Sequence, residues 1–142
     1  MYQDKKELLS ALYAMEKKQE KVESPEEAVI QFLDYRNKKR EHFLTLNLDN
    51  QNQIIGRHVI SRGTIDQSAV YIQEIIRPVL FDYASGIILG HNHPGGDPEP
   101  SSQDIALTNK IKEATQILNL RLLDHIIVAR YGHFSFQENG MI

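Results

Sequence analysis

Apolar side chains recur along this chain at two periods, and the switches between them divide it into helices and strands. Near the N-terminus, Leu8, Leu12 and Met15, with Leu9, draw one narrow stripe along a charged helix running from residue 5 to about residue 21. Ser24-Pro25-Glu26-Glu27 predicts a second helix start, with a capping serine, a proline at the first helical position and a glutamate closing a capping box. Ala28, Val29, Phe32 and Leu33 supply its buried face, and Asn37-Lys38-Lys39-Arg40 ends it with positive charge. The period then falls to two. Residues 43–48 and 53–60 alternate as a hairpin turned at Asp49-Asn50-Gln51-Asn52, and Arg62-Gly63-Thr64 breaks its second strand. Ile72, Ile75, Ile76, Val79, Leu80 and Tyr83 return to helical spacing, and Pro78 among them predicts a bend or a late helix start. Ser85-Gly86-Ile87-Ile88-Leu89 suits a short buried strand. Leu107, Ile111, Ala114 and Leu118 mark another helix, and residues 120–128 and 133–136 read as strands around a turn at Arg130-Tyr131-Gly132. This order predicts one α/β sandwich around a mixed, mainly antiparallel sheet.

A chain of 142 residues is enough for one core. The expected division is a charged helix over 1–23 and a single domain over 24–142. There is no cysteine, which excludes disulfides and a thiolate metal site. A net charge of −3 gives no global attraction to nucleic acid. No apolar run reaches the length of a membrane span, and no signal-peptide core follows Met1-Tyr2-Gln3-Asp4, so the cytoplasm is the expected compartment. The stripe at Leu8, Leu12 and Met15 offers a homodimer contact.

The chemistry is concentrated in His91-Asn92-His93-Pro94, a Gly/Pro loop, and Ser101-Ser102-Gln103-Asp104. If the strand continues past Gly90, His91 and His93 point the same way, and Asn92 points to the other side, where it can fix a loop. The turn-rich loop from Pro94 to Pro100 can fold back. Ser101 reads as an N-cap, with Asp104 in the first helical turn, where the helix dipole favours a carboxylate. Two imidazoles and one carboxylate could then converge on a metal at roughly 2.0–2.2 Å, leaving a fourth position open. Either half alone is weak, since most His-x-His pairs bind nothing and most Ser-x-x-Asp strings are only caps. His-Asn-His is no evidence for an HNH nuclease, whose three residues lie far apart in sequence. His125, beside Asp124 in an apolar run, reads as a hydrogen-bonded core histidine before a support for a metal ligand, and His42 and His133 as surface residues.

Joined in this order, the pieces resemble the JAMM motif of the JAB/MPN metallopeptidase superfamily. Ser24-Pro25-Glu26-Glu27-Ala28, Arg40-Glu41-His42-Phe43, Arg62-Gly63-Thr64, the strand running into His91-Asn92-His93-Pro94, and Leu123-Asp124-His125-Ile126-Ile127 resemble its RadC-like branch. The resemblance runs from about Ser24 to the C-terminus and implies a cytidine-deaminase-like α/β fold. It implies hydrolysis of a peptide or isopeptide bond in a peptide or protein substrate. His91, His93 and Asp104 would hold zinc, which lowers the pKa of a water toward about 7 and polarises the carbonyl. Ser101 would steady the oxyanion. The helix-hairpin-helix region of long RadC proteins has no counterpart here, which removes the most obvious support for a DNA role.

The general base departs from the pattern. The family's glutamate is expected on the second strand, six residues before the threonine of Gly-Thr, and counting back from Thr64 selects His58. An imidazole can shuttle a proton, but its neutral nitrogen can also bind the metal and close the site. Glu74, the nearest acid downstream, falls on the next helix. Three readings stay open: a metallopeptidase-type hydrolase with His58 or another acid as base, a catalytically inactive zinc-bearing module that binds a protein, and a DNA-repair-associated protein.

Overall fold

The two periodicities resolve into helices α1 (Lys5–Met15), α2 (Pro25–Phe32), α3 (Ala69–Phe81) and α4 (Ser102–Ile117) and strands β1 (His42–Leu48), β2 (Ile54–Arg62), β3 (Gly86–His93), β4 (Arg121–Ala129) and β5 (Gly132–Ser135). The computed structural model describes residues 4–15, 20–63 and 69–142. The strands form one sheet in the order β2-β1-β3-β4-β5. β3 and β4 run parallel, and the other neighbours are antiparallel. This is a single α/β domain with a mixed sheet, as the alternation predicts.

Strand alternation splits the core in two. On one face, Leu44, Leu46, Leu48, Ile88, Ile126 and Val128 pack against Ala28, Val29 and Phe32 of α2. On the other, Phe43, Ile87 and Leu89 pack against Ile75 and Val79 of α3 and Leu107 and Ile111 of α4. No residue of α1 is buried, and Leu8, Leu9, Leu12 and Met15 are all exposed. Residues 16–19 of the expected first helix, and Thr64 at the expected strand break, lie outside the described residues. Among the described residues no helix is long and apolar enough to cross a membrane.

Two local expectations are modified. Ser24 Oγ accepts the Glu27 N–H at 3.2 Å, but the Glu27 carboxylate turns to the N–H of Glu23, at 2.9 Å. The second helix ends at Phe32 with a 3-10 turn over Leu33–Tyr35, so the basic stretch 37–40 lies in a loop instead of a last helical turn. The reason is tertiary: the Asn92 amide takes the carbonyls of Arg40 and Lys38, at 2.9 and 3.4 Å. Those carbonyls are therefore bound to the end of the central strand β3, not left at a helix end. α3 runs through Pro78 to Phe81.

Two features of this frame position the site. The β3-α4-β4 crossover joins parallel strands, so the carboxyl end of β3 meets the N-terminus of α4. The antiparallel register pairs Phe43 with His91, which brings the entry of β1 to the same edge. Gly90, directly before the first histidine, lies under α2, where a methyl group would overlap the Phe32 ring. Gly90→Ala is expected to cost about 1–3 kcal/mol through overpacking. Urea unfolding measures this, and an unchanged midpoint would mean that Phe32 can turn aside.

Candidate metal centre

β3 remains extended to its last residue, so His91 and His93 project from the same face of the sheet. Their Nε2 atoms stand 2.9 Å apart. Asp104 reaches them from the first turn of α4, with Oδ2 at 3.1 Å from His93 Nε2 and Oδ1 at 3.4 Å from His91 Nε2. The cap predicted at Ser101 holds that carboxylate. Ser101 Oγ accepts the Asp104 N–H at 3.0 Å, and Asp104 Oδ2 accepts the Ser101 N–H at 2.8 Å.

Glu41 is the fourth member, and its Oε1 stands 4.0 Å from His93 Nε2. Together Glu41, His91, His93 and Asp104 present ligand atoms all within 4.8 Å of one another and could hold a metal ion. The register accounts for Glu41: Phe43 pairs with His91, and residues two steps away on each strand share that face. Arg40-Glu41-His42-Phe43 carries part of the family resemblance, but the pairing of β1 with β3 is needed to see that its glutamate faces His93.

His58 lies elsewhere. It pairs with Thr45 across the β1–β2 ladder, four residues along β1 from Glu41, or about 13 Å at strand spacing. Its Nε2 meets Asp82 Oδ2 at 2.7 Å, and Asn47 Nδ2 donates to the same oxygen at 2.9 Å. Burial pushes the Asp82 carboxyl up, but these hydrogen bonds outweigh it and hold it below the usual carboxylate value. Glu74 is on the exposed side of α3, 3.9 Å from Arg77.

The protons behind the ligands can be assigned from one fixed acceptor. The Asp104 carbonyl can only accept, so the Thr108 hydroxyl donates to it, at 2.7 Å. Thr108 Oγ1 must then accept from His125 Nδ1–H, at 2.6 Å. That leaves His125 Nε2 bare to accept His91 Nδ1–H, at 2.7 Å. His91 Nε2 is therefore a lone pair facing the centre. His93 reaches the same state by donating Nδ1–H to the Asp97 carbonyl, at 2.9 Å. Two lone pairs 2.9 Å apart repel unless a cation or proton lies between them. The donor set fits a divalent cation on that ground.

A proton competes with a cation for these two nitrogens, and it favours His93 over His91. Burial lowers the pKa of His91, opposed by its hydrogen bond to Asp104, and leaves it below the ordinary 6.5. His93 is also desolvated, but the hydrogen bonds to Asp104 and to the Asp97 carbonyl and the charges of Asp104 and Glu41 raise it overall. Burial would raise Asp104, yet its hydrogen bonds to His91 and His93 hold it far below the usual carboxylate range. Burial, reinforced by the nearby His91, keeps His125 neutral. His125 is thus a core histidine, as its apolar surroundings predict, but its ring nitrogen supports a member of the group. The Phe136 ring stacks on it with centroids 4.6 Å apart. Asn92 points away from the group, and its Oδ1 accepts the His42 N–H at 2.6 Å.

A family model described as the RadC-like JAB domain matches residues 22–141. A UPF0758 protein from Pelobacter propionicus is 44% identical over 109 residues, covering 77% of this chain and 48% of the relative. One from Geotalea uraniireducens is 42% identical with the same two coverages. One from Methanosarcina mazei is 35% identical over 129 residues, 90% of this chain and 56% of the relative. The chain spans about half the length of these relatives. With a four-residue group that could hold a metal at the joint of β1, β3 and α4, and a family match over nearly all of its length, the chain belongs to the RadC-like JAB domain family.

Proposed function

We propose that this chain is a zinc-dependent hydrolase of peptide or isopeptide bonds, with Glu41, not His58, as its general base. One observation carries the reading: two imidazole lone pairs and a carboxylate converge on one point, with a second carboxylate set back from it. Tetrahedral ligands at roughly 2.0–2.1 Å from an ion stand about 3.3 Å from one another. The two Nε2 atoms stand 2.9 Å apart, and Asp104 offers Oδ2 at 3.1 Å from His93 and Oδ1 at 3.4 Å from His91, near that spacing. Glu41, at 4.0 Å from His93, is too far for an edge and leaves room for a water. Nitrogen and oxygen donors without thiolate suit zinc.

A zinc ion bound there supplies Lewis acidity, acidifying water and polarising a carbonyl. The protein's own groups do the rest. Glu41 takes the proton of the attacking water as the C–O bond forms, and then gives it to the amine nitrogen as the tetrahedral species collapses and the C–N bond breaks. Ser101 Oγ accepts from Asp104 N–H, so its O–H proton is left to donate to the oxyanion. The reading as an inert binding module rested on position 58, and a glutamate already in the group removes that motive.

The test is hydrolysis of a peptide library by zinc-loaded protein, followed by mass spectrometry. Cleavage is expected to stop on chelation, to return with zinc, and to be absent in His93→Ala. No cleavage of any library member by fully zinc-loaded protein through the neutral range would overturn the reading.

A further inference from the structure

A cleft at Pro94, directly after His93, has a basic rim, although the chain is net negative at −3. Arg36, Lys38, Lys39 and Arg130 border, with Asn37 and Pro94, this cleft of about 300 Å³. Arg40 follows in the same loop and directly precedes Glu41. All five cations are exposed. The ion pairs among the described residues engage Arg57, Arg77 and histidines, none of these five side chains.

The rim is tied to β3, which carries the two histidines, through the face of that strand opposite the metal group and through its neighbour β4. Asn92, between the two histidines, ties down the carbonyls of Lys38 and Arg40. The β3–β4 register pairs His93 with Ala129, so Arg130 follows alongside Pro94. Two cations are also held over aromatic rings: Lys38 over Tyr35 at 5.8 Å and Arg130 over Tyr131 at 5.7 Å. Like charges crowded around a cleft repel one another and focus a positive field on whatever enters.

We infer that this cleft is the docking subsite for an acidic stretch of the polypeptide substrate, next to the bond to be cleaved. The inference rests on the hydrolase reading above and names its substrate class. An acidic peptide fits better than nucleic acid. Duplex binders commonly neutralise about 6–10 phosphates, more than this rim offers.

The test reads binding, using zinc-loaded Glu41→Gln protein to prevent turnover. Fluorescent peptides of one length, carrying a central block of Glu, Gln or Lys, are titrated by anisotropy at low and high salt. The Glu peptide is expected to bind roughly tenfold or more tighter than the Gln peptide at low salt, with the advantage shrinking as salt rises. Lys38→Glu/Lys39→Glu/Arg130→Glu should abolish that preference and favour the Lys peptide, with zinc content and thermal midpoint unchanged. Equal affinity for the Glu and Gln peptides, or a preference that survives the triple reversal, would overturn the inference. So would tighter binding of DNA than of the acidic peptide. Failure of the wild type to cleave the library counts against the hydrolase reading instead, and the peptide comparison still decides the cleft.

Discussion

Zinc-loaded Glu41→Gln protein is expected to hydrolyse its substrate about 10²–10⁴-fold more slowly than the wild type, the usual contribution of a positioned general base. Zinc affinity should barely change. Glutamine keeps the size and hydrogen-bonding reach of the side chain but cannot take up a proton, and the 4.0 Å separation from His93 leaves the three-ligand set intact. The informative comparison is His58→Gln. That imidazole is engaged with Asp82 some four strand residues from the group, so its replacement should leave the rate unchanged. Initial rates on a cleaved library peptide, with metal content measured on the same samples, decide between them. A large loss in His58→Gln with near-normal turnover in Glu41→Gln would reverse the assignment.

His125→Leu should weaken zinc binding by about 10–100-fold, the usual penalty for removing a group that orients a metal-bound histidine. Leucine fills much of the volume between Phe43 and Phe136, so the core remains packed. What disappears is the acceptor for His91 Nδ1–H. Without it the His91 ring is free to take the other tautomer, with its proton on the nitrogen that faces Asp104. Competition with a chromophoric chelator measures the affinity, and thermal unfolding of the metal-free protein separates it from general destabilisation. Unchanged affinity at an unchanged metal-free midpoint would show that the relay from Asp104 through Thr108 and His125 is only structural.

The ease of reading each part follows from its range in sequence. Ser101 and Asp104 lie within one helical turn, so the cap was legible from spacing alone and the structure contains it. Residues 91 and 93 share a face because any extended strand alternates. The strands themselves shifted by only one or a few residues, as in β1, which begins at His42 where the alternation suggested Phe43. The extent of the second helix was not legible. Lys38 and Arg40 look like a favourable C-terminal turn until Asn92, more than fifty residues away, takes their carbonyls.

Local rules, namely caps, periods and the absence of thiols, determined the fold class and the donors His91, His93 and Asp104 as a candidate set. Only the tertiary structure decided which glutamate joins them. The pairing of β1 with β3 aligns residues some fifty positions apart, and counting along a single strand carries no information about that register. The same holds for His125, whose ring meets His91 only because β3 and β4 lie side by side.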